Sequence, residues 1–340
     1  MNDLLIGLLS ALIATNPPAA VSNLVLRKTG VSVNIPDRND PIEKELSKIM
    51  ADDDAAQAEV DEWIRTAKPA EGQSPDAAGT ALQLRIKQRL EIIRRAYEDV
   101  LQRHSGHARG HIAFGSFLND IADEEGARVH WEKGRDLDPK SPAAWNNLAN
   151  YYGHNGPTTN AFVCYAKAIE LNPYEPTYYQ NFATTVFLFR RTATNFFNID
   201  EPQVFAKALQ LYRQALELDP ANFLLATDLA QTYYGINLPK NLDAEARRQA
   251  EGKLADDAVA AWQVALKLAS DETERQGIYI HFARLTINAG RYDEARRHLH
   301  AVTNESFTAI KQKLTQKLET AESKAKGTNA PAAPRSTQPL

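Results

Sequence analysis

The chain has one cysteine, Cys164, so it can build neither a disulfide framework nor a multi-cysteine metal site. Neither sign of charge dominates. Lys plus Arg number 39 against 43 Asp plus Glu, and a net charge of −4 argues against wholesale nucleic-acid binding. Long apolar runs are missing too: the longest, Leu4 to Ala14, has eleven residues, where a membrane span needs roughly twenty. The sequence contains no glycine-rich phosphate loop, no HExxH, no nucleophile elbow and no haem-attachment motif. The expectation is therefore a protein that is not an enzyme, with no cofactor, no metal and no membrane span.

The Leu4–Ala14 run is also a poor signal peptide. Asp3 stands where a basic segment belongs, and Asn16-Pro17-Pro18 interrupts the place of a cleavage site. It reads as a buried helix with Leu4, Leu5, Leu8, Leu9 and Leu12 along one stripe. A cytoplasmic protein is the working expectation, and export through this segment is the alternative.

What is present is a long helical pattern. Hydrophobic residues make up 43% of the 340, enough for a sizeable core. Residues 1–66 form an N-terminal helical region, in which Asp52-Asp53-Asp54 is expected in a helix's first turn, where the macrodipole favours acids. Residues 67–80, small and polar with two prolines, read as a linker. From 81 to 324 the apolar spacing is helical, with no convincing alternating strand. Residues 325–340 have three prolines and little to bury, so they are expected to be disordered.

An internal ruler runs through the helical part. Pro139, Pro173 and Pro220 follow RDLD, IELN and LELD, at spacings of 34 and 47 residues. Ala127, Ala161, Ala208, Ala258 and Ala295 are each followed four residues later by Trp131, Tyr165, Tyr212, Trp262 and Leu299. The best copy starts at Pro142 and supplies Trp145, Leu148, Ala149, Tyr152, Ala161, Tyr165, Ala168 and Pro173. These positions fall on single helix faces, so large rings from one helix meet small residues of the next. Proline then stops the second helix, because the residue before it avoids the helical region.

This pattern resembles the tetratricopeptide repeat, a helix-turn-helix unit of about 34 residues. The resemblance covers roughly 85–303. It implies an all-α fold: an α-solenoid of about five stacked hairpins with an N-terminal appendage and a C-terminal capping helix. Phe307, Ile310, Leu314 and Leu318 form the stripe of that cap. It also implies a non-catalytic scaffold that holds a peptide or partner protein in a concave groove lined by the first helix of each repeat. The groove positions here are Asn146, Asn147 and Asn150, then Gln180, Asn181 and Thr184, then Asp228 and Gln231, then His281 and Arg284. Asn147 and Asn181, at matching positions, look like two rungs of the asparagine ladder of some such solenoids. Ile112 and Ser116 stand where a chaperone-tail carboxylate clamp needs other residues, so that ligand is not expected.

Two copies carry insertions, near Arg190–Gln203 and Ile236–Gly252, on one edge of the stack. Arg190, Arg191, Phe196 and Phe197 make the first a candidate contact edge. The alternative function is a structural subunit that forms homo-oligomers through these insertions and the apolar N-terminal segment. His104, His107 and His111 have helical spacing, but Ser105-Gly106 and Gly110 lie between them, so they read as incidental to a turn. Cys164 reads as a buried thiol beside the packed Tyr165.

Overall fold

The computed structural model describes residues 37, 39–67, 75–239 and 241–328. The Leu4–Ala14 run, residues 68–74 of the linker and residues 329–340 of the tail lie outside them. The described residues form fourteen α-helices and two short 3-10 turns, with no strand among them. The architecture is all-α and of the α-solenoid class. The chain divides into two compact units, one ending at Thr185 and the other beginning at Val186.

The first unit opens with α1 (Pro41–Thr66) packed on α2 (Pro75–Arg103). Asp40 caps α1 by accepting from the Ile42 N–H, and Pro41 sits where a missing N–H costs nothing. This early start corrects the expectation for Asp52-Asp53-Asp54: they lie in mid-helix, not in a first turn. There two of them meet partners on α2. Asp52 pairs with Arg89 at 2.7 Å, and Asp53 accepts from the Tyr97 hydroxyl at 3.2 Å. Arg89 also reaches Glu59, and Arg103 reaches Glu45, so the register of the two helices is written in charge. Such partly exposed pairs contribute at most about 1 kcal/mol each. Fully burying Leu46 and Ile93 is worth roughly 1.5–3 kcal/mol apiece, so apolar packing holds α1 in place. The helix α2 begins at Pro75, inside the stretch expected to be linker.

Next come α3 (Ala108–Asp120) with α4 (Glu124–Leu137), α5 (Pro142–Asn155) with α6 (Thr158–Leu171), and α7 (Pro176–Leu188), which crosses the boundary. The α3–α4 hairpin uses the large-against-small rule. Trp131 lies over Gly115, and Ile112 approaches Gly134 so closely that an added Cβ would be 2.5 Å away. Two repeats share one joint: Trp145 Nε1 donates to the Pro139 carbonyl at 2.9 Å, and the Tyr179 hydroxyl donates to the Pro173 carbonyl at 3.1 Å.

The second unit contains α8 (Arg190–Phe197), α9 (Glu201–Leu218), α10 (Phe223–Thr232), α11 (Ala244–Leu268), α12 (Glu272–Asn288), α13 (Tyr292–Ala301) and α14 (Thr308–Thr328). The first insertion is α8 and a capping box in which Asp200 and Gln203 bond reciprocally. In the second, residues 236–239 and 241–243 are non-helical; Asp243 caps α11, and the rest lengthens that helix. The stripe of α14, with Leu314 and Leu318 buried, closes on Ile280, Ile287, Leu299 and Val302. It covers apolar surface that the last hairpin would otherwise leave to water.

Candidate functional site

In the first unit the predicted groove residues lie on α5 and α7, and four side chains there form a single hydrogen-bonded line. Asn181 Nδ2 donates to Asn146 Oδ1 at 3.3 Å, Asn146 Nδ2 to Asn147 Oδ1 at 3.5 Å, and Asn147 Nδ2 to Ser116 Oγ at 3.2 Å. Ser116 Oγ in turn donates to the Ile112 carbonyl of its own helix at 3.2 Å. All these bonds point one way, a direction that favours mutual polarisation. The line joins α3, α5 and α7. Asn146, at 6% exposure, is its buried link, while Asn147 and Asn181 are half-buried.

Asn150 serves a different partner, accepting from the Tyr165 hydroxyl at 2.7 Å, with Thr185 Oγ1 3.2 Å from the same oxygen. Thr184 Oγ1 donates back to the Gln180 carbonyl of its own helix. Gln180 is half-buried on the same helix. The repeat register could have found Ser116, which occupies in the first copy the position that Asn150 and Thr184 occupy in the next two. Tyr165 was assigned to packing alone, and the hydrogen bond of its hydroxyl was missed.

In the second unit Asp228 is half-buried and Gln231 exposed on α10, while His281 and Arg284 lie on α12. The imidazole of His281 stacks on Trp262 with centroids 3.8 Å apart and planes at 14°. Its Nδ1 lies 2.9 Å from the Tyr234 hydroxyl. Burial holds its pKa down to about 4, so the ring is neutral at pH 7. Arg284 places its guanidinium 5.6 Å from the Tyr234 ring centroid. Tyr234 and Trp262 thus build this face beside the two predicted residues. At the insertion edge Arg190 pairs with Glu201 at 3.1 Å and Arg191 is exposed. Phe196, 41% exposed, meets Phe197 edge-on at 4.9 Å, and Lys207 Nζ lies 4.6 Å from the Phe197 ring.

The histidines of the first turn are structural. His107 caps α3 by accepting from the Gly110 N–H, and its Nε2 lies 3.1 Å from Glu43. His111 Nε2 faces the Ser105 carbonyl at 3.1 Å and must carry a proton there. Its Nδ1 therefore accepts from His130 Nδ1, 2.9 Å away. Cys164 is buried, and burial pushes its thiol up to about 11, which leaves no thiolate at pH 7. Among the described residues no group of three or more His, Cys, Asp or Glu is placed to hold a metal ion. No described helix is long and apolar enough to cross a membrane.

Residues 142–175 match the model of the tetratricopeptide repeat family. That span is the copy with the full set of signature residues, so the chain carries a tetratricopeptide repeat there. No curated protein matches it. Among solved structures it is similar to YrrB, described as a tetratricopeptide-repeat protein with an unusual peptide-binding site. The identity is 12% and the TM-score 0.47, over 65% of this chain and 98% of that one. It is also similar to MamA, with 19% identity and a TM-score of 0.40, over 55% and 86%. PilW, a type IV pilus biogenesis factor, gives 11% identity and a TM-score of 0.47, over 77% and 98%.

Proposed function

We propose that the chain is a non-catalytic protein-interaction scaffold that holds an extended segment of a partner protein on the first-helix faces of its repeats. The line Ser116–Asn147–Asn146–Asn181 is the observation that carries this reading. Each amide in it uses one N–H within the line and keeps a second, together with spare acceptor capacity. Asn146 is too buried to reach a ligand and instead links its neighbours. Asn147 and Asn181, half-buried and on successive repeats, are left to pair with a partner's backbone whatever its side chains. The near-neutral net charge of −4 suits a protein partner better than a nucleic acid.

The test is affinity capture with mass spectrometry, using the full chain and the double variant Asn147→Ala, Asn181→Ala. Loss of specific partners with an unchanged melting curve is the expected result, and unchanged capture overturns the reading. A second reading, assembly of copies through the insertion edge, is favoured by the exposed Phe196 beside Phe197. Light scattering on Phe196→Ser separates the two: a monomer both before and after substitution counts against assembly. A cytoplasmic location belongs to the same proposal.

A further inference from the structure

We propose that Arg284, seated on Tyr234, is a carboxylate-binding spot on the first-helix face of the second unit, and that the partner segment held there is acidic. The inference rests on the reading of that face as a partner surface and gives the partner a chemistry. Two of the second unit's other partly buried arginines have acids of their own: Arg275 bonds Glu272 at 3.0 Å, and Arg291 bonds both Asp256 and Glu294 at 2.6 Å. Arg284 is different. No carboxylate of the described residues lies within ion-pair distance of its half-buried guanidinium. The support beneath it is nevertheless built in layers. Trp262, 2% exposed, carries the stacked His281 at 3.8 Å; His281 holds the Tyr234 hydroxyl at 2.9 Å; and the Tyr234 ring, 37% exposed, lies under Arg284.

The cation–π contact with the Tyr234 ring restrains the guanidinium before any partner arrives, so less entropy is lost on pairing. It also leaves the planar N–H fork free for a carboxylate, its best geometric match. His281 is neutral at pH 7 and adds no charge of its own, so Arg284 is the cation of this layered cluster. Asp228, on α10 of the same face, carries the opposite sign, which confines the attraction for an acid to the neighbourhood of Arg284.

The experiment titrates the full chain into a fluorescein-labelled peptide alternating Glu with Ala, and into its Gln counterpart, with fluorescence anisotropy as readout. The acidic peptide is expected to bind roughly tenfold tighter at low salt, and the preference is expected to shrink as salt is raised. Arg284→Gln is expected to erase the difference between the two peptides with an unchanged melting curve. Equal binding of the two peptides overturns the carboxylate spot and leaves the groove reading standing. A preference that survives in Arg284→Gln also overturns the spot, and binding of neither peptide overturns both readings.

Discussion

Trp131 occupies the space that a side chain on Gly115 would fill. An added Cβ would lie 2.5 Å from the indole Cδ1, 2.6 Å from Nε1 and 3.0 Å from the Ala127 carbonyl. Gly115 stands at the small-residue position of the first repeat, where the next copy has Ala149. The indole is wide enough here to exclude even a methyl group.

Gly115→Ala is therefore expected to destabilise the protein although it improves helix propensity. The propensity gain is about 1 kcal/mol. Overpacking against a rigid ring and a backbone carbonyl costs about 1–3 kcal/mol, and the larger value applies because neither neighbour is a flexible tip. The net expectation is a loss of roughly 1–2 kcal/mol in urea denaturation. Gly252, in α11, has nothing within 4 Å of the same atom, so Gly252→Ala is expected to stabilise by about 1 kcal/mol. Equal effects at the two positions would refute the packing account.

Ala122 has a left-handed backbone, with φ of 62°, at the turn between α3 and α4. The Asp123 N–H reaches back to the Leu118 carbonyl at 2.8 Å, and the Ala122 N–H bonds the Asn119 carbonyl at 2.9 Å. The fifth repeat makes the same closure with Gly290, φ 72°, and the Arg291 N–H bonded to the Thr286 carbonyl at 2.8 Å. Glycine suits this position because it has no Cβ to clash; an L-residue there costs roughly 1–2 kcal/mol. Ala122→Gly relieves that strain but adds about 0.4–1 kcal/mol of unfolded-state entropy. A gain of about 0.5–1 kcal/mol in thermal or chemical denaturation is expected, and Gly290→Ala is expected to show the reverse.

The repeat core was legible because its chemistry recurs at a fixed interval. The Trp145–Pro139 and Tyr179–Pro173 bonds each span six residues and lie 34 residues apart, as a sequence ruler requires. The place of α1 was not legible. Its buried residues Leu46, Ile49, Ala56 and Val60 follow no repeat signature, and its partners Arg89 and Arg103 stand 30 to 58 residues away in the chain. Register placed Asn146 and Asn147 together on the groove side. Only the turn of one side chain toward Asn181 divides a buried link from an accessible rung. A lone Gln276 in α12 carried no signal at all.

Yet Gln276 ties the last hairpin to its cap. Its Oε1 accepts from the Thr303 and Asn304 N–H groups at 2.7 Å each, and its Nε2 donates to Thr303 Oγ1 and Glu272. At 3% exposure it cannot be replaced by water without rearrangement. Gln276→Met keeps the volume and leaves two backbone donors unpaired, at roughly 1–3 kcal/mol each where water cannot reach them. The expected loss is about 2–3 kcal/mol, with faster hydrogen exchange at Thr303 and Asn304. A loss below the error of the measurement would mean that the cap docks by its apolar stripe alone.

Acid is expected to weaken the protein well before its carboxylates titrate. Burial holds His130 and His281 down to about 4, against an ordinary value of 6.5, and lowers His111 and His298 as well. Between pH 6.5 and 4 the unfolded chain therefore binds more protons than the native one, and linkage makes stability fall as pH falls. The contribution is fully present above pH 6.5 and is lost as pH drops toward 4, amounting to roughly 3 kcal/mol at most for each of the two strongly shifted rings. The pair is asymmetric in chemistry. A proton on His111 Nδ1 would set two donors 2.9 Å apart against His130, whereas a proton on His281 would put a cation in a desolvated place on Trp262 and near the charge of Arg284. Phenylalanine at 281 can keep the stack but cannot titrate. Denaturation curves of His281→Phe between pH 7 and 5, a window in which exposed carboxylates stay largely ionised, are expected to show a shallower fall in stability than the native chain, by up to one proton in slope. An identical slope would mean that His281 titrates in the folded protein as it does in the unfolded chain, and that its place on Trp262 does not penalise the cation.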